Sequence, residues 1–280
     1  MPTSVRTVAV GSQHLRVAIR AGDGTRPPLL LVNGIGASLE LLQPFVDALD
    51  PSVGVIRFDV PGVGGSPLPR RPYRLSALAR LVTRLLDQLG VPVVDVLGIS
   101  WGGGLAQQLA LCHRDRCRRL VLAATSAGML MVPASPKVLA RLATPRRYLD
   151  PDHAERIAAD LYGGTMRSDP ARVRDVLHGL TRVGPGRGYL YQLAAGTGWT
   201  SLPFLPWIRQ PTLLLAGDDD PIIPLVNAHI MRRLLADAEL HVYHGGHLGL
   251  ITEAAALAPV VDRFLRRGTP APDAPARPPT

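Results

Sequence analysis

The stretch VVDVLGISWGGGLAQQLALC, residues 93–112, decides the fold. Its first five residues are mostly apolar and predict a buried strand, whereas residues 101–112 have the apolar pattern of a helix. Only Gly98-Ile99-Ser100-Trp101-Gly102 joins the two, so the chain has to turn very sharply. A Cβ atom at either flanking glycine would clash in such a turn. The stretch therefore predicts a parallel-sheet protein that presents Ser100 above the carboxyl edge of its sheet.

The rest of the chain alternates between strand-like and helix-like segments. Apolar runs predict strands at residues 5–10, 15–20, 29–32, 53–58, 93–97, 120–123, 212–216 and 240–243. Helical spacing of apolar residues predicts helices at 39–49, 75–89, 101–112, 225–235 and 253–265. Such alternation indicates an α/β fold with a mainly parallel central sheet and helices on both faces.

One long segment interrupts this alternation. Residues 126–206 contain no convincing strand, but they carry helical patches at 136–143, 153–161 and 171–180 and many aromatic side chains. We expect this segment to form a helical cap inserted into a core made of residues 1–125 and 207–267. Ligands of open α/β sheets bind at the carboxyl edge, which the cap would cover. The Pro/Ala-rich tail, residues 268–280, is predicted to be disordered.

Ser100 is the candidate nucleophile, and it needs a base and an orienting acid. In this architecture the acid follows the serine in the chain, and the histidine follows the acid. The acid is expected in Gly217-Asp218-Asp219-Asp220-Pro221, directly after a predicted strand. We favour Asp220, because Pro221 restricts its backbone to extended conformations. Asp219 remains the alternative, and Asp218 is better explained as a turn residue.

The base is expected after the last predicted strand, in His244-Gly245-Gly246-His247. His247 follows two glycines and precedes the apolar Leu248, so its loop can fold back over the serine. We therefore favour His247 and retain His244 as the alternative.

Two backbone N–H groups are candidates for holding a developing oxyanion. One belongs to Trp101, directly after Ser100, and the other to Ile35 in the loop Asn33-Gly34-Ile35-Gly36. The Asn33 side chain is expected to fix this loop by hydrogen bonds. The glycine-rich residues 59–66 lack the lysine and spacing of a phosphate-binding loop, so they are predicted to form a structural turn beside the site.

The amino-acid composition limits the kinds of binding partner that we expect for this protein. The formal charge of +9 comes almost wholly from arginine, which is scattered in short runs such as Arg146-Arg147. We interpret these as solvated surface charges and expect no nucleic-acid binding. No apolar run reaches the length of a membrane span, and the first ten residues lack a secretion-signal pattern. We expect a soluble cytoplasmic protein with two inert thiols, Cys112 and Cys117.

The whole span from about residue 5 to residue 264 resembles the intracellular poly(3-hydroxyalkanoate) depolymerases of the medium-chain-length type, within the α/β-hydrolase superfamily. The resemblance is carried most specifically by AATSAGMLMVP (123–133), TPRRYLDP (144–151) and YQLAAGTGWTS (191–201). The segments GISWGGGLAQQ (98–108) and QPTLLLAGDDDPIIPL (210–225) match the superfamily more broadly. Gly249 departs from the family pattern, which has a bulkier residue there, and is expected to widen the pocket.

The resemblance implies a serine hydrolase that cleaves ester bonds of a medium-chain polyester through an acyl-enzyme, releasing hydroxyacids or short oligomers. It assigns the catalytic roles to Ser100, Asp220 and His247 and implies no metal or organic cofactor. Expected partners are a hydrophobic polyester or ester substrate and the surface of a polyhydroxyalkanoate storage granule; the oligomeric state stays open. The expected substrate-contact residues are Asn33, Met129, Met131, Trp199 and Leu248.

Two other functions remain open on the residues alone. The first is a carboxylesterase, thioesterase or related α/β-hydrolase that acts on small hydrophobic substrates, because the fold does not fix the substrate. The second is a non-catalytic ligand-binding protein on a hydrolase scaffold, which the complete set of serine, acid and histidine argues against.

Overall fold

A central eight-stranded sheet organises the molecule. The computed structural model describes residues 3–179 and 186–268. Its strands are β1 (Thr3–Val10), β2 (Gln13–Arg20), β3 (Leu29–Val32), β4 (Val55–Phe58), β5 (Val94–Ile99), β6 (Cys117–Ala123), β7 (Thr212–Gly217) and β8 (Ala238–Tyr243). They are arranged in the order β1-β2-β4-β3-β5-β6-β7-β8. Of these eight strands, β2 alone runs in the direction opposite to the others. The predicted α/β fold with a mainly parallel sheet is confirmed.

Helices lie on both faces of this sheet. In the core they are α1 (Gln43–Ala48), α2 (Leu75–Gln88), α3 (Trp101–Cys112), α10 (Val226–Leu234), α11 (Gly249–Thr252) and α12 (Ala254–Arg266). Residues Leu39–Leu42 and Arg114–Arg116 form 3₁₀ turns. The predicted helix at 39–49 is therefore split, because its first turn is wound more tightly than an α-helix.

The central strands are buried on both sides, which explains their nearly continuous apolar sequences. Every residue of β3, β4, β5 and β7 is buried. Alternate side chains enter different cores: Leu29 and Leu31 pack with α1 and α12, whereas Leu30 packs with α2 and α3. The two cores fix the sheet between its helical layers and so fix the loops at its carboxyl edge.

The segment between β6 and β7 is helical. Its elements are α4 (Pro136–Leu142), α5 (Arg146–Leu149), α6 (Pro151–Tyr162), α7 (Thr165–Ser168), α8 (Arg172–Arg174), a π-helical turn (Asp175–Gly179), α9 (Gly186–Gly196) and a 3₁₀ helix (Leu202–Trp207). The sequence patterns did not predict α5, α7, α9 or the 3₁₀ helix. We call residues 126–206 the cap; their status as a separate unit stays a prediction.

The missed helix α9 shows why pattern reading failed in the cap. It contains Gly186, Gly188 and Gly196, and glycine lowers helix propensity. Gly188 is nevertheless required, because a Cβ there would lie 1.8 Å from the backbone oxygen of Gly62. Close contact with the core thus outweighs local propensity. The end of the predicted helical patch at Leu180 and the predicted disorder of residues 269–280 lie outside the described residues.

Candidate active site

The turn after β5 holds Ser100 in a strained conformation. Its φ is 54° and its ψ is −123°, a region that residues with a side chain seldom adopt. A Cβ at Gly98 would lie 2.4 Å from the Gly102 oxygen, and one at Gly102 would lie 2.3 Å from the Val32 oxygen. The two glycines therefore permit the close approach of α3 to β5 and β3 that the sharp turn requires.

Two hydrogen bonds fix this turn against β6 and the residues that follow it. The Ser100 N–H donates to the Ala123 oxygen over 2.9 Å, and the Thr125 hydroxyl donates to the Ser100 oxygen over 2.7 Å. The position of the Ser100 hydroxyl is thus set by β6 as well as by its own strand.

His247 faces Ser100 from the loop after β8. Its Nε2 atom lies 3.0 Å from the Ser100 Oγ, and its ring is almost wholly buried. The His247 N–H donates to the backbone oxygen of Tyr162 in the cap over 2.8 Å. The cap therefore helps to hold the imidazole in place.

Asp220 orients the imidazole from the other side. Its Oδ2 lies 2.8 Å from His247 Nδ1, while its Oδ1 accepts hydrogen bonds from the N–H groups of Ile222 and Ile223. An ionised carboxylate only accepts, so Nδ1 carries the ring proton and Nε2 is free to accept from Ser100. This is the tautomer that a general base needs.

The alternative acids and base have other partners. Asp219 pairs with Arg167 of the cap through two contacts, and this hydrogen bonding lowers the pKa of Asp219. Asp218 pairs with the exposed His244 over 2.9 Å, which lowers the pKa of the carboxyl and raises that of the imidazole. The structure thus brings Asp220 and His247 to Ser100 and keeps the neighbouring candidates in separate interactions.

The loop after β3 lies against the serine. An ideal Cβ on Gly34 would lie 3.5 Å from the Ser100 Cβ. Among the described residues, the Ile35 N–H has no hydrogen-bond acceptor. The Trp101 N–H belongs to the first residue of α3, where no intrahelical acceptor exists. Both N–H groups are therefore available to a ligand oxygen.

Cap residues hold this loop in place. The Tyr148 hydroxyl donates to the Ile35 oxygen over 2.7 Å, and the Gln192 Oε1 accepts from the Gly36 N–H over 2.8 Å. The Gln192 backbone oxygen also accepts from the indole N–H of Trp101 over 2.8 Å. One residue of α9 therefore connects both sides of the candidate oxyanion site.

Asn33 and the turn of residues 59–66 stabilise the loop after β3. The Asn33 amide donates to the Ser38 oxygen over 2.8 Å, as the sequence predicted. The buried Asp59 carboxylate accepts from the N–H groups of Leu39 and Gly65, each over 2.7 Å. Burial raises the pKa of Asp59. This turn lines neither of the cavities that reach Ser100.

Two cavities meet at Ser100 and Trp101. The smaller, about 200 Å³, includes Ile35, His247 and Leu248 and is lined in part by cap residues. The larger, about 400 Å³, includes Met129, Met131 and Trp199 and is strongly apolar. A substrate can thus extend in two directions from the serine hydroxyl. A groove of about 940 Å³ elsewhere on the surface contains none of these residues.

Four of the five expected substrate-contact residues line these cavities. Met129, Met131 and Trp199 line the larger cavity, Leu248 lines the smaller, and Asn33 lines neither. Gly249 does not widen the pocket, because a Cβ there would lie 2.2 Å from the Tyr243 ring. The small residue accommodates Tyr243 instead, so the expectation of a wider pocket is wrong.

Sequence reasoning missed the polar lining of the smaller cavity. Arg147, Tyr148, Tyr162 and Tyr189 all face it and are buried. The sequence analysis interpreted Arg146 and Arg147 as solvated surface charges, but only Arg146 is exposed. No signal in the neighbouring sequence separates the buried Arg147 from the exposed Arg146.

Residues 3–179 and 186–268 lack two features, a metal-binding cluster and a membrane-spanning helix. No group of three or more His, Cys, Asp or Glu side chains is arranged to hold a metal ion. No helix is long and apolar enough to cross a membrane.

Comparison with known proteins identifies relatives along most of the chain. The family model for the alpha/beta hydrolase fold matches residues 27–254. The poly(3-hydroxyalkanoate) depolymerase of Ectopseudomonas oleovorans is 52% identical over 266 residues, covering 95% of this chain and 94% of that protein. The 3-oxoadipate enol-lactonase 2 of Acinetobacter baylyi is 27% identical, covering 88% of this chain and 91% of that protein.

A solved structure shows the same fold. The crystal structure of a hydrolase from Pseudomonas aeruginosa PA01 superposes with a TM-score of 0.80 at 27% identity, covering 94% of this chain and 99% of that one. Both the family match and the 52% identity extend over most of the chain. The chain therefore belongs to the α/β-hydrolase family and, within it, to the family of the Ectopseudomonas oleovorans poly(3-hydroxyalkanoate) depolymerase.

Proposed function

We propose that this protein is a serine hydrolase that cleaves ester bonds of medium-chain-length poly(3-hydroxyalkanoate) through an acyl-enzyme. The observation that carries the proposal is the alignment of Ser100, His247 and Asp220 at the junction of two cavities, with contacts of 3.0 and 2.8 Å. The 52% identical relative, a poly(3-hydroxyalkanoate) depolymerase, supports the choice of substrate.

The reaction follows from the positions of these groups. His247 Nε2 removes the hydroxyl proton as the Ser100 Oγ attacks the ester carbonyl. The N–H groups of Trp101 and Ile35 stabilise the oxyanion. Protonated His247 then gives its proton to the leaving alcohol oxygen, and an ester to Ser100 remains. Water, deprotonated by His247, hydrolyses that ester and frees the acid.

The larger cavity suits an aliphatic hydroxyacyl chain. Methionine and aromatic side chains form adaptable apolar walls. Four large hydrophobic residues of the cap beside or within this cavity are solvent-exposed: Met129, Leu130, Val132 and Leu139. Met129 and Leu139 also line the cavity itself, so the exposed surface continues towards Ser100.

We call Met129, Leu130, Val132 and Leu139 the apolar rim. We propose that the apolar rim contacts the surface of a polyester storage granule in the cytoplasm. The support is its continuity with the larger cavity, which lets a polymer strand pass from an apolar surface to the serine without crossing water.

Incubation with amorphous medium-chain polyester granules tests the catalytic proposal. The wild-type protein should release soluble 3-hydroxyacids or short oligomers, and Ser100→Ala should release none above background. Hydrolysis of p-nitrophenyl octanoate without any release from the polymer would instead identify a small-ester esterase. Absence of both activities in the folded protein would favour a ligand-binding function.

Sedimentation with the same granules tests the contact surface. Leu130→Asp places a charge on the apolar rim and should reduce the bound fraction severalfold. Val5→Asp, at an equally exposed position on β1, is the matched control and should bind like the wild type. Equal binding of all three proteins would exclude the apolar rim as the contact.

A further inference from the structure

A buried arginine faces the smaller cavity beside the candidate catalytic residues. Arg147 is only 3% exposed, although the neighbouring Arg146 is exposed. Its guanidinium lies 4.7 Å from the ring centre of Tyr148 and 5.3 Å from that of Tyr189. Its Nη1 donates to the Thr144 oxygen over 3.1 Å and to the Tyr189 hydroxyl over 2.9 Å. The side chain is therefore fixed, with its charge held inside the protein.

This charge has no anionic partner. Within residues 3–179 and 186–268, no aspartate or glutamate forms an ion pair with Arg147. Its Nε is buried without a hydrogen-bond partner, and its Nη2 makes no hydrogen bond to a described residue. A guanidinium stays charged at any physiological pH, and burying its Nε without a hydrogen-bond partner is costly. Buried arginines with free donors are suited to bidentate binding of a carboxylate.

A second donor lies nearby. The Tyr162 hydroxyl is buried, lines the same cavity and has no hydrogen-bond partner. Burial raises the pKa of Tyr162, so its hydroxyl remains protonated and can donate. The smaller cavity thus offers a cation with donor atoms to spare and a neutral hydroxyl without a hydrogen-bond partner.

The position of His247 indicates which part of the substrate meets these donors. His247 lines the smaller cavity but not the larger. The leaving alcohol oxygen takes its proton from His247 Nε2, so the alcohol part of the ester belongs on this side of Ser100. In a 3-hydroxyalkanoate ester, that part has its alcohol oxygen on carbon 3 and its carboxyl group at carbon 1.

We infer that Arg147, assisted by Tyr162, binds the free carboxylate of the leaving 3-hydroxyacid unit, so that the enzyme works from the carboxyl end of the polyester. The inference rests on the proposed function. The smaller cavity, about 200 Å³, is lined by the buried Tyr148, Tyr162 and Tyr189, whereas the larger, about 400 Å³, reaches the exposed residues of the apolar rim. A chain end fits the first space and the remaining polymer the second.

One cycle removes one unit. The bond between the acyl carbon and the ester oxygen breaks, the Ser100 Oγ bonds to that carbon, and the leaving oxygen takes the former serine proton through His247. A 3-hydroxycarboxylate departs with its carboxylate unchanged. Water then breaks the bond to Ser100, and the shortened polymer leaves with a new terminal carboxyl group that ionises in solvent and becomes the next ligand of Arg147.

A pair of dimers provides the test: 3-hydroxyoctanoyl-3-hydroxyoctanoate with a free carboxylate, and the same dimer with a terminal carboxamide. Cleavage of the internal ester is measured for both. Because hydrogen bonds to charged groups contribute more than neutral ones, wild type should favour the carboxylate by roughly 10- to 100-fold in kcat/KM. Arg147→Met should bring that ratio close to one.

Two further variants separate charge from packing. Arg146→Met, one residue away at an exposed position, is the matched control and should keep the wild-type ratio. Arg147→Lys keeps the charge without the planar fork and should give an intermediate ratio. If Arg147→Met does not fold, the wild-type and Arg147→Lys ratios decide the matter.

The outcomes distinguish the inference from the function on which it rests. Equal kcat/KM for the two dimers in the wild type, or a carboxylate preference that survives in Arg147→Met, would overturn the inference while polymer hydrolysis stands. Hydrolysis of neither dimer nor polymer by folded wild-type protein would overturn the proposed function itself.

Discussion

The Nε2 atom of His247 lies 3.0 Å from the Oγ of Ser100, although 147 positions of the chain separate the two residues. The contact is made by loops after β5 and β8, which are not adjacent in the sheet. It is stabilised from the cap, because the His247 N–H donates to Tyr162. The core presents the serine, and the cap helps to position the imidazole of His247.

Replacing the nucleophile should abolish turnover without unfolding the protein. Ser100→Ala removes only one hydroxyl, and the tight turn is held by glycines and by backbone hydrogen bonds. We expect kcat for an ester substrate to fall at least ~10⁴-fold, because triad residues act as a unit. Steady-state kinetics measures the loss, and a thermal melt should show a transition close to that of the wild type. Activity within tenfold of wild type would exclude Ser100 as nucleophile.

The two adjacent aspartates should differ strongly. Asp220→Asn alters the contact with His247 Nδ1 and favours the wrong tautomer, so we expect a loss of ~10³- to 10⁴-fold in kcat. Asp219→Asn alters a half-exposed ion pair with Arg167 and should cost less than about tenfold. The comparison needs only kcat for one soluble ester. The reverse ranking would assign the orienting role to Asp219.

Removing the Tyr148 hydroxyl should weaken the oxyanion site through Ile35. Tyr148→Phe deletes one hydrogen bond to the loop, worth about 1 kcal/mol, so kcat should fall about fivefold. KM for a neutral ester should change little, because the N–H groups act mainly in the transition state. Tyr191→Phe is the control, since its hydroxyl makes no hydrogen bond to a described residue. Equal effects of the two changes would argue against a role for Tyr148 in positioning the loop.

The two cysteines should react very differently. Cys112 is exposed, whereas Cys117 is buried in β6 and burial raises the pKa of its thiol. We expect a thiol-specific disulfide reagent to modify one cysteine per native chain rapidly and the second only after unfolding. Modification of both at the same rate in native buffer would show that β6 opens readily.

The sheet was predictable because its signals are local. The apolar strand before Gly98, the tight turn and the helix after it are each visible in consecutive residues. Each of the eight predicted strands overlaps an observed one, with bounds that differ by up to three residues. The candidate site was predictable for the same reason. Asp220 and His247 each directly follow a strand, and parallel strands bring their carboxyl ends to one edge of the sheet.

The lining of the smaller cavity was not predictable in this way. The burial of Arg147 depends on Tyr148 and Tyr189, which are neighbours in space through different helices. No pattern within residues 144–151 distinguishes Arg147 from its exposed neighbour Arg146. Similarly, α9 owes its glycines to contacts with the core at Gly62, more than a hundred positions earlier. Tertiary contacts of this kind override local propensity.

Labelling with a fluorophosphonate, followed by peptide mapping and a polymer-hydrolysis assay on the same sample, tests the role of Ser100 most directly. We expect a single phosphonylated serine, at position 100, and a loss of hydroxyacid release in proportion to labelling. Complete labelling of Ser100 with undiminished release from polyester, or labelling of a different serine that abolishes release, would contradict it.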